Sequence, residues 1–195
     1  MSTYKFDLAR RLADSYGIQG GCYRRWGLAA EDDSTRADLL LKSIRKYREG
    51  ESVESNNEYG IVSTYNLLNK TVSQILLDAR FYDDPSAAVK YPELEPIDAR
   101  AELEKVRKEM RRQLHRDDSW FLADHALVSL LLDYEKEDPK DIYKEFLNPE
   151  KIHPSFVYDS MLATLRALAK LDLPMAGKIE DVVQRLDERY RQLQN

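Results

Sequence analysis

The segment from Asp118 to Asp133 is the most apolar stretch of useful length in the chain, and it constrains the fold more than any other feature. Its apolar residues recur every three or four positions, which is the spacing of one face of a helix. These residues are Trp120, Ala123, Leu127, Leu130 and Leu131. Asp118 or Ser119 can cap the first backbone amides. The pattern predicts a central buried helix that carries no reactive chemistry.

The overall composition favours helices throughout the chain. The 195 residues include only 7 glycines and 7 prolines, too few for an all-β chain with its many turns. The hydrophobic content of 43% is sufficient for a packed core. We therefore expect an all-α fold, in which antiparallel helical hairpins stack as a solenoid or as a compact helical array.

Prolines mark the longest connection in the chain. Pro85, Pro92 and Pro96 fall within one short segment, and this density interrupts regular helix. We expect one helical domain over residues 1–195, with a first half at 1–80, a connection at 81–97 and a second half at 98–195. The predicted helices lie near residues 6–26, 35–48, 57–77, 98–116 and 118–133, with further helices after Asp138, His153 and Pro174. The apolar stripe of the last helix packs either internally or against a second copy of the chain.

The charge balance and the single cysteine bear on location and partners. Charged residues of both signs make up 33% of the chain and the formal net charge is -5, so no global attraction to nucleic acid or anionic membrane is expected. No apolar run approaches the ~20 residues that span a bilayer, and residues 1–5 do not begin a signal peptide. Cys22 has no partner for an internal disulfide, which fits a reducing compartment. We expect a cytoplasmic protein without a membrane partner.

Three glycines interrupt the first predicted helix. Apolar residues describe its helical spacing at Leu8, Leu12, Tyr16, Ile18 and Tyr23, and the glycines are Gly17, Gly20 and Gly21. Glycine costs about 1 kcal/mol relative to alanine in a helix interior, so these positions need a reason. A phosphate-binding loop requires a Lys-Ser/Thr pair that is absent here. The glycines therefore predict close packing by a neighbouring helix.

The third predicted helix has an unusual polar side. Between Glu58 and Lys70 it contains no charged residue, although one third of the chain is charged. This pattern indicates that both faces of the helix are covered. Two interpretations follow: a central helix that hydrogen-bonds to its neighbours, or a concave groove for a ligand or peptide that is built from Asn66, Asn69 and Ser73.

One segment resembles the first helix of a tetratricopeptide repeat, whose period is about 34 residues. Tyr16 matches the leading aromatic, Gly20 the small position, Tyr23 the second aromatic and Gly27 the turn glycine. The paired helix is matched by Ala37, Leu41 and Ile44, after a connection longer than that of the family. A weaker match begins at Trp120, with Ala123 and Leu127, and continues to Tyr143 and Phe146.

Further positions resemble the divergent tetratricopeptide-like region in the TRAF-binding portion of apoptosis signal-regulating kinases, and related segments of bacterial multidomain proteins. They are Trp120, Ala123, Leu131, Tyr143, Ser160, Leu162 and Leu165. The resemblance covers about residues 12–171 and rests on packing motifs. It implies a TPR-like solenoid that acts as a scaffold or regulatory module. It does not imply kinase activity, because the chain has no glycine-rich nucleotide loop and no Asp-Phe-Gly signature.

The residues that carry catalysis in other proteins do not form a recognisable motif here. His115, His125 and His153 are too scattered for a zinc signature. Asp124 and His125 are adjacent near Asp117, but neighbouring residues on a helix point about 100° apart. Asp124 and His125 would therefore need other ligands to hold a metal ion, and a helical metal-dependent hydrolase is only the second alternative. We expect no catalytic activity, no cofactor and no metal ion.

A nucleic-acid-binding helical protein is the first alternative. It would use the basic helix at residues 107–116, whose basic side chains are Arg107, Lys108, Arg111, Arg112, His115 and Arg116. Interleaved acidic residues and the negative net charge argue against this alternative.

The leading hypothesis is a non-catalytic protein-interaction scaffold or regulatory module that binds a peptide or a partner domain. We expect a groove near the uncharged polar helix, with Arg24 and Arg25 at its rim to meet acidic groups. The predicted contact residues are Tyr16, Tyr23, Arg24, Arg25, Tyr65, Asn66 and Asn69.

Overall fold

The structure, a computed structural model, describes residues 3–59, 61, 63–112 and 118–194, and these residues form helices without any β-strand. The all-α prediction is confirmed. The α-helices are α1 (Thr3–Ala29), α2 (Asp33–Glu54), α3 (Tyr65–Leu77), α4 (Ala99–Arg111), α5 (Ser119–Asp133), α6 (Pro139–Ile142), α7 (Lys144–Leu147), α8 (Ser155–Ala169) and α9 (Ala176–Gln194). Two short 3-10 turns, Ala79–Tyr82 and Pro85–Lys90, lie between α3 and α4. Within the described ranges, no helix is both long and apolar enough to cross a membrane.

The boundaries of the first three helices differ from the predictions. α1 and α2 are longer than expected, and residues 30–32 alone join them. The prediction of a long connection between these two helices is therefore wrong. Asp32 caps the N-terminus of α2, because its side chain accepts a hydrogen bond from the Thr35 amide at 2.8 Å. α3 begins at Tyr65 rather than near residue 57. The predicted end of the fourth helix, at residues 113–116, lies outside the described residues.

The chain divides into two compact units, residues 1–110 and 111–195. α4 groups with the first unit, whereas the sequence analysis placed it in the second half of the chain. In the first unit, α1 and α2 form an antiparallel hairpin and α3 packs against α2. Among the helix pairs of the second unit, α8 and α9 pack together most extensively.

The proline-containing connection is part of the core of the first unit. Phe81, Ala87, Ala88 and Leu94 are buried against Ile44 of α2. Each 3-10 turn is capped by an aspartate, since Asp78 accepts a hydrogen bond from the Arg80 amide and Asp84 accepts one from the Ser86 amide. The prolines therefore end the regular helices at a place where the chain remains packed.

The second unit has an apolar interior that follows the sequence pattern closely. The buried side chains of α8 and α9 include Val157, Leu162, Leu165, Leu168, Ile179, Val182 and Leu186. Tyr158 and Tyr190 stack with ring centroids 5.4 Å apart. In α5, Ala123, Leu130 and Leu131 are buried as expected, but Trp120 is exposed and Leu127 is half-buried. Only part of the predicted face of α5 is therefore internal.

Candidate interaction surface

The buried face of α1 is built almost entirely from alanine and glycine. Its residues recur every three or four positions along the helix, so they form one continuous stripe. They are Ala9, Ala13, Gly17, Gly20, Arg24 and Gly27, with Gly21 beside them. Arg24 is the only residue among them with a long side chain. Small residues allow α1 to approach α2 and α3 closely.

Side chains from α2 and α3 fill the space that the small residues of α1 leave. A Cβ atom added at Gly20 would lie 2.9 Å from the Tyr47 ring, and one added at Gly17 would lie 2.6 Å from the Tyr65 ring. Both distances are too short for real side chains. The prediction that these glycines serve close helix packing is therefore confirmed.

Arg24 enters a polar interior between the three helices. Its Nη1 donates a hydrogen bond to Asn69 Oδ1 at 2.7 Å, and its guanidinium lies 5.7 Å from the centroid of the Tyr47 ring. Asn69 Nδ2 in turn donates to the backbone oxygen of Tyr65 at 2.8 Å. The guanidinium is thus held by an amide oxygen and an aromatic face.

Asn66 occupies the other end of this polar interior. Its Nδ2 donates to Glu54 Oε1 at 2.9 Å and to the Ala13 backbone oxygen at 3.3 Å. Burial raises the pKa of the Glu54 carboxyl above its usual value. Glu54 Oε2, Asn66 Oδ1 and the Tyr47 hydroxyl are buried, and they have no hydrogen-bond partner among the residues that the structure describes.

The prediction of an open groove at α3 is wrong. Asn66 and Ser73 are fully buried and Asn69 is 6% exposed. Their polar groups hydrogen-bond to neighbouring helices, with Ser73 lying 3.4 Å from the Ser43 hydroxyl. The uncharged polar side of α3 is therefore explained by the first interpretation, a central helix that hydrogen-bonds to its neighbours. Arg24 also lies in the interior rather than at a rim.

The remaining predicted contact residues lie nearer the surface. Tyr16 is half-buried beneath the Lys46 ammonium group, which lies 5.3 Å from its ring centroid. Tyr23 is half-buried and meets Trp26 edge to face at 5.7 Å. Arg25 is exposed, and its Nη2 lies 3.4 Å from Cys22 Sγ. The structure thus brings Arg24, Asn69 and the backbone of Tyr65 together inside the unit and leaves Tyr23 and Arg25 outside.

The opposite face of α1 carries five large apolar residues that are exposed. We name this set of side chains the outer face: Tyr4 (74% exposed), Leu8 (56%), Leu12 (45%), Ile18 (66%) and Trp26 (60%). The spacing of Leu8, Leu12 and Ile18 predicts the helix but does not predict that these side chains form a surface. The signal that reveals this surface is the stripe of alanine and glycine, interrupted only by Arg24, on the other side of α1.

The exposed cations of α1 differ from those of α2. Lys5, Arg10, Arg11 and Arg25 are exposed, and none of them has an ion-pair partner among the residues that the structure describes. In α2, by contrast, most cations are paired, with distances of 2.9 Å for Arg36–Asp33, 2.7 Å for Lys42–Asp38 and 2.7 Å for Lys46–Glu49. Lys5, Arg11 and Arg25 therefore lie within or beside the outer face, and no carboxylate of the described residues is within ion-pair distance of them.

The structure adds little support for the two alternative sites, the basic helix at residues 107–116 and the metal site near Asp124. Arg107 of the basic helix pairs with Glu104 at 2.6 Å, and His115 and Arg116 lie outside the described residues. Asp117 of the metal hypothesis also lies outside them. In the part of the chain that the structure describes, no three His, Cys, Asp or Glu side chains are grouped so that they can hold a metal ion.

A serine–histidine contact in the second unit was missed by the sequence analysis. Ser119 Oγ lies 2.9 Å from His153 Nδ1, and His153 Nε2 lies 3.2 Å from the Glu145 backbone oxygen. These bonds connect the first residue of α5 to α7 and to the loop before α8. The two residues are far apart in sequence and belong to no motif, so no local signal predicts their contact.

No protein-family model, no curated protein and no solved structure matches this chain.

Proposed function

We propose that this protein is a non-catalytic interaction module that binds a protein partner through the outer face of α1. The observation that carries this proposal is the orientation of α1, which turns small residues inward and large apolar residues outward. A helix that served only the core of its own unit would have the opposite arrangement.

Burying a leucine, isoleucine or aromatic side chain contributes about 1.5–3 kcal/mol, and the outer face obtains little of this contribution within the chain. Isolated exposed apolar residues, such as Val89 and Ile152, are ordinary on protein surfaces. Several such residues on one helix face form an apolar patch, which is typical of an interaction site.

The tetratricopeptide-like resemblance is part of this proposal. The α1–α2 hairpin and the contact of Gly20 with Tyr47 support a helical pair of that kind. We propose a scaffold or regulatory role similar to that of the TRAF-binding region of apoptosis signal-regulating kinases. The predicted groove at α3 is replaced in the proposal by the outer face of α1, to which Tyr23 and Arg25 are adjacent.

Site-specific photocrosslinking tests the proposal. A photoreactive phenylalanine analogue at Leu8 is expected to capture a defined protein from a lysate of the source cells, and excess unlabelled protein should prevent the capture. The same analogue at Val89 is the matched control, because Val89 is also exposed and apolar but lies outside α1. Identical products at both positions, or capture of nucleic acid alone, would contradict the proposed function.

A further inference from the structure

The chemistry of the outer face indicates what kind of partner covers it. The apolar residues extend from Tyr4 to Trp26, which corresponds to about 33 Å along a helix at about 1.5 Å per residue. The surface is therefore long, narrow and borne by one helix. A single amphipathic helix of similar length matches this shape, because its own apolar stripe packs along the helix axis.

Charge separates the candidate partners. Among the exposed residues of α1, the cations Lys5, Arg10, Arg11 and Arg25 outnumber Asp7 and Asp14, although the whole chain has a formal net charge of -5. With about 100° between successive residues, Arg11 falls inside the apolar stripe, while Lys5 and Arg25 fall on opposite borders of it. The exposed cations thus accompany the apolar residues along the outer face.

Two other occupants fit this charge distribution less well. A second copy of the chain that met α1 with its own α1 would bring cations against cations, which disfavours association. An anionic membrane surface would be repelled by Asp7 and Asp14, which border the stripe, and would meet Ser15 and Gln19 within it. A helix, unlike a membrane surface, can place individual carboxylates opposite Lys5, Arg11 and Arg25 and away from Asp7 and Asp14.

We infer that the outer face of α1 receives an amphipathic helix of another protein, with an apolar stripe flanked by glutamate or aspartate. The inference rests on the proposed function and specifies the partner of the same surface. The apolar stripe of that helix covers Leu8, Leu12 and Trp26. Its carboxylates pair with Lys5, Arg11 and Arg25.

The experiment uses three synthetic helical peptides of about 20 residues with one shared apolar stripe. Their flanking positions are all glutamate, all glutamine or all lysine, and binding to the full chain is measured by fluorescence anisotropy. The glutamate peptide is expected to bind at least about tenfold more tightly than the lysine peptide, with the glutamine peptide between them. Raising the salt from about 50 mM to about 500 mM should weaken the glutamate peptide several-fold.

Charge reversal provides the matched variants. Arg11→Glu/Arg25→Glu should invert the order of the glutamate and lysine peptides. The control Lys108→Glu/Lys170→Glu reverses two other exposed cations without ion pairs in the described ranges, and it should preserve the order. Circular dichroism of each variant establishes that the helices are intact.

Each other outcome overturns the inference in a recognisable way. Equal affinity for all three peptides, or no binding of any, removes the acidic partner, while the proposed function stands if the crosslink at Leu8 persists. Failure of that crosslink removes the proposed function itself. Self-association that Leu8→Ser/Leu12→Ser abolishes assigns the surface to a second copy. Binding to phosphatidylserine vesicles that Leu8→Ser/Leu12→Ser abolishes, without binding of any peptide, assigns the surface to a membrane.

Discussion

α1 and α9 are both long helices, but α9 buries its large apolar residues within its own unit, whereas α1 exposes five of its own. α9 buries Ile179, Val182 and Leu186 in the second unit. α1 buries an alanine and glycine stripe in the first unit and exposes the outer face. A periodic pattern therefore identifies a helix and its apolar side, whereas the packing partner decides which side is covered.

The interiors of the two units differ for the same reason. In the second unit, aliphatic side chains of α8 and α9 fill the core directly. In the first unit, the small residues of α1 allow Tyr47, Asn66 and Arg24 to enter, and the interior becomes partly polar. Such an interior depends on hydrogen bonds, because buried polar groups without partners are costly.

The largest expected difference is between equivalent leucine substitutions in the two helices. Leu186→Ala should lower the free energy of unfolding by about 3 kcal/mol, because it leaves a cavity in a packed core. Leu8→Ala should change the free energy of unfolding by less than about 0.5 kcal/mol, since its side chain is exposed. Chemical denaturation measures both values. Similar losses in the two variants would show that the outer face is covered within the chain.

A glycine substitution tests the close packing of the first unit. Gly50→Ala should destabilise the fold by about 2–3 kcal/mol, because its Cβ would lie 2.5 Å from Asn66 Cγ. Gly177→Ala in α9 is the control, as its Cβ would have no neighbour within 4 Å. That variant should gain about 0.5–1 kcal/mol from helix propensity. Asn66→Ala should relieve part of the Gly50→Ala defect, and thermal melts of the double variant decide whether it does.

The smallest expected effect comes from the polar interior. Glu54→Gln should stabilise the protein at neutral pH by about 1 kcal/mol, because the glutamine amide can donate to Asn66 Oδ1, which accepts no hydrogen bond from the described part of the chain. Burial raises the pKa of Glu54 in the folded state above its usual 4.5, so the folded protein binds its proton more tightly than the unfolded chain. Stability of the natural protein should consequently fall as pH rises from about 4.5 through the folded-state pKa.

The pH dependence of Glu54→Gln relative to the natural protein isolates this group. The stability difference should be small below about pH 4.5 and should grow in favour of the glutamine variant above it. A difference that is constant across this pH range would mean that Glu54 ionises as freely in the folded protein as in the unfolded chain. Urea unfolding at several pH values supplies the measurement.

The sequence predicts the helices better than their environment. Periodicity located the amphipathic α9, and the glycines of α1 correctly indicated close packing. The role of Asn66 and Asn69 was ambiguous, because the same uncharged polar residues suit an interior hydrogen-bond network and an open groove. Burial separates these cases, and burial depends on which helices meet. Some of the predicted contact residues therefore lie at the surface, such as Arg25, whereas Arg24, Asn66 and Asn69 are buried.

The contact between Ser119 and His153 shows a second limit. It joins residues distant in sequence through the positions of α5, α7 and the loop before α8. No spacing rule relates such residues, since the folded arrangement of three segments produces the contact.

The exposure of both tryptophans has a spectroscopic consequence. The chain has only two tryptophans, with Trp26 in the first unit and Trp120 in the second, and solvent reaches both indole rings. The emission of the folded protein should consequently resemble that of indole in water. A helix that covers α1 would shift only the Trp26 component to shorter wavelengths, and Trp120→Phe would leave that component as an intrinsic reporter of occupancy.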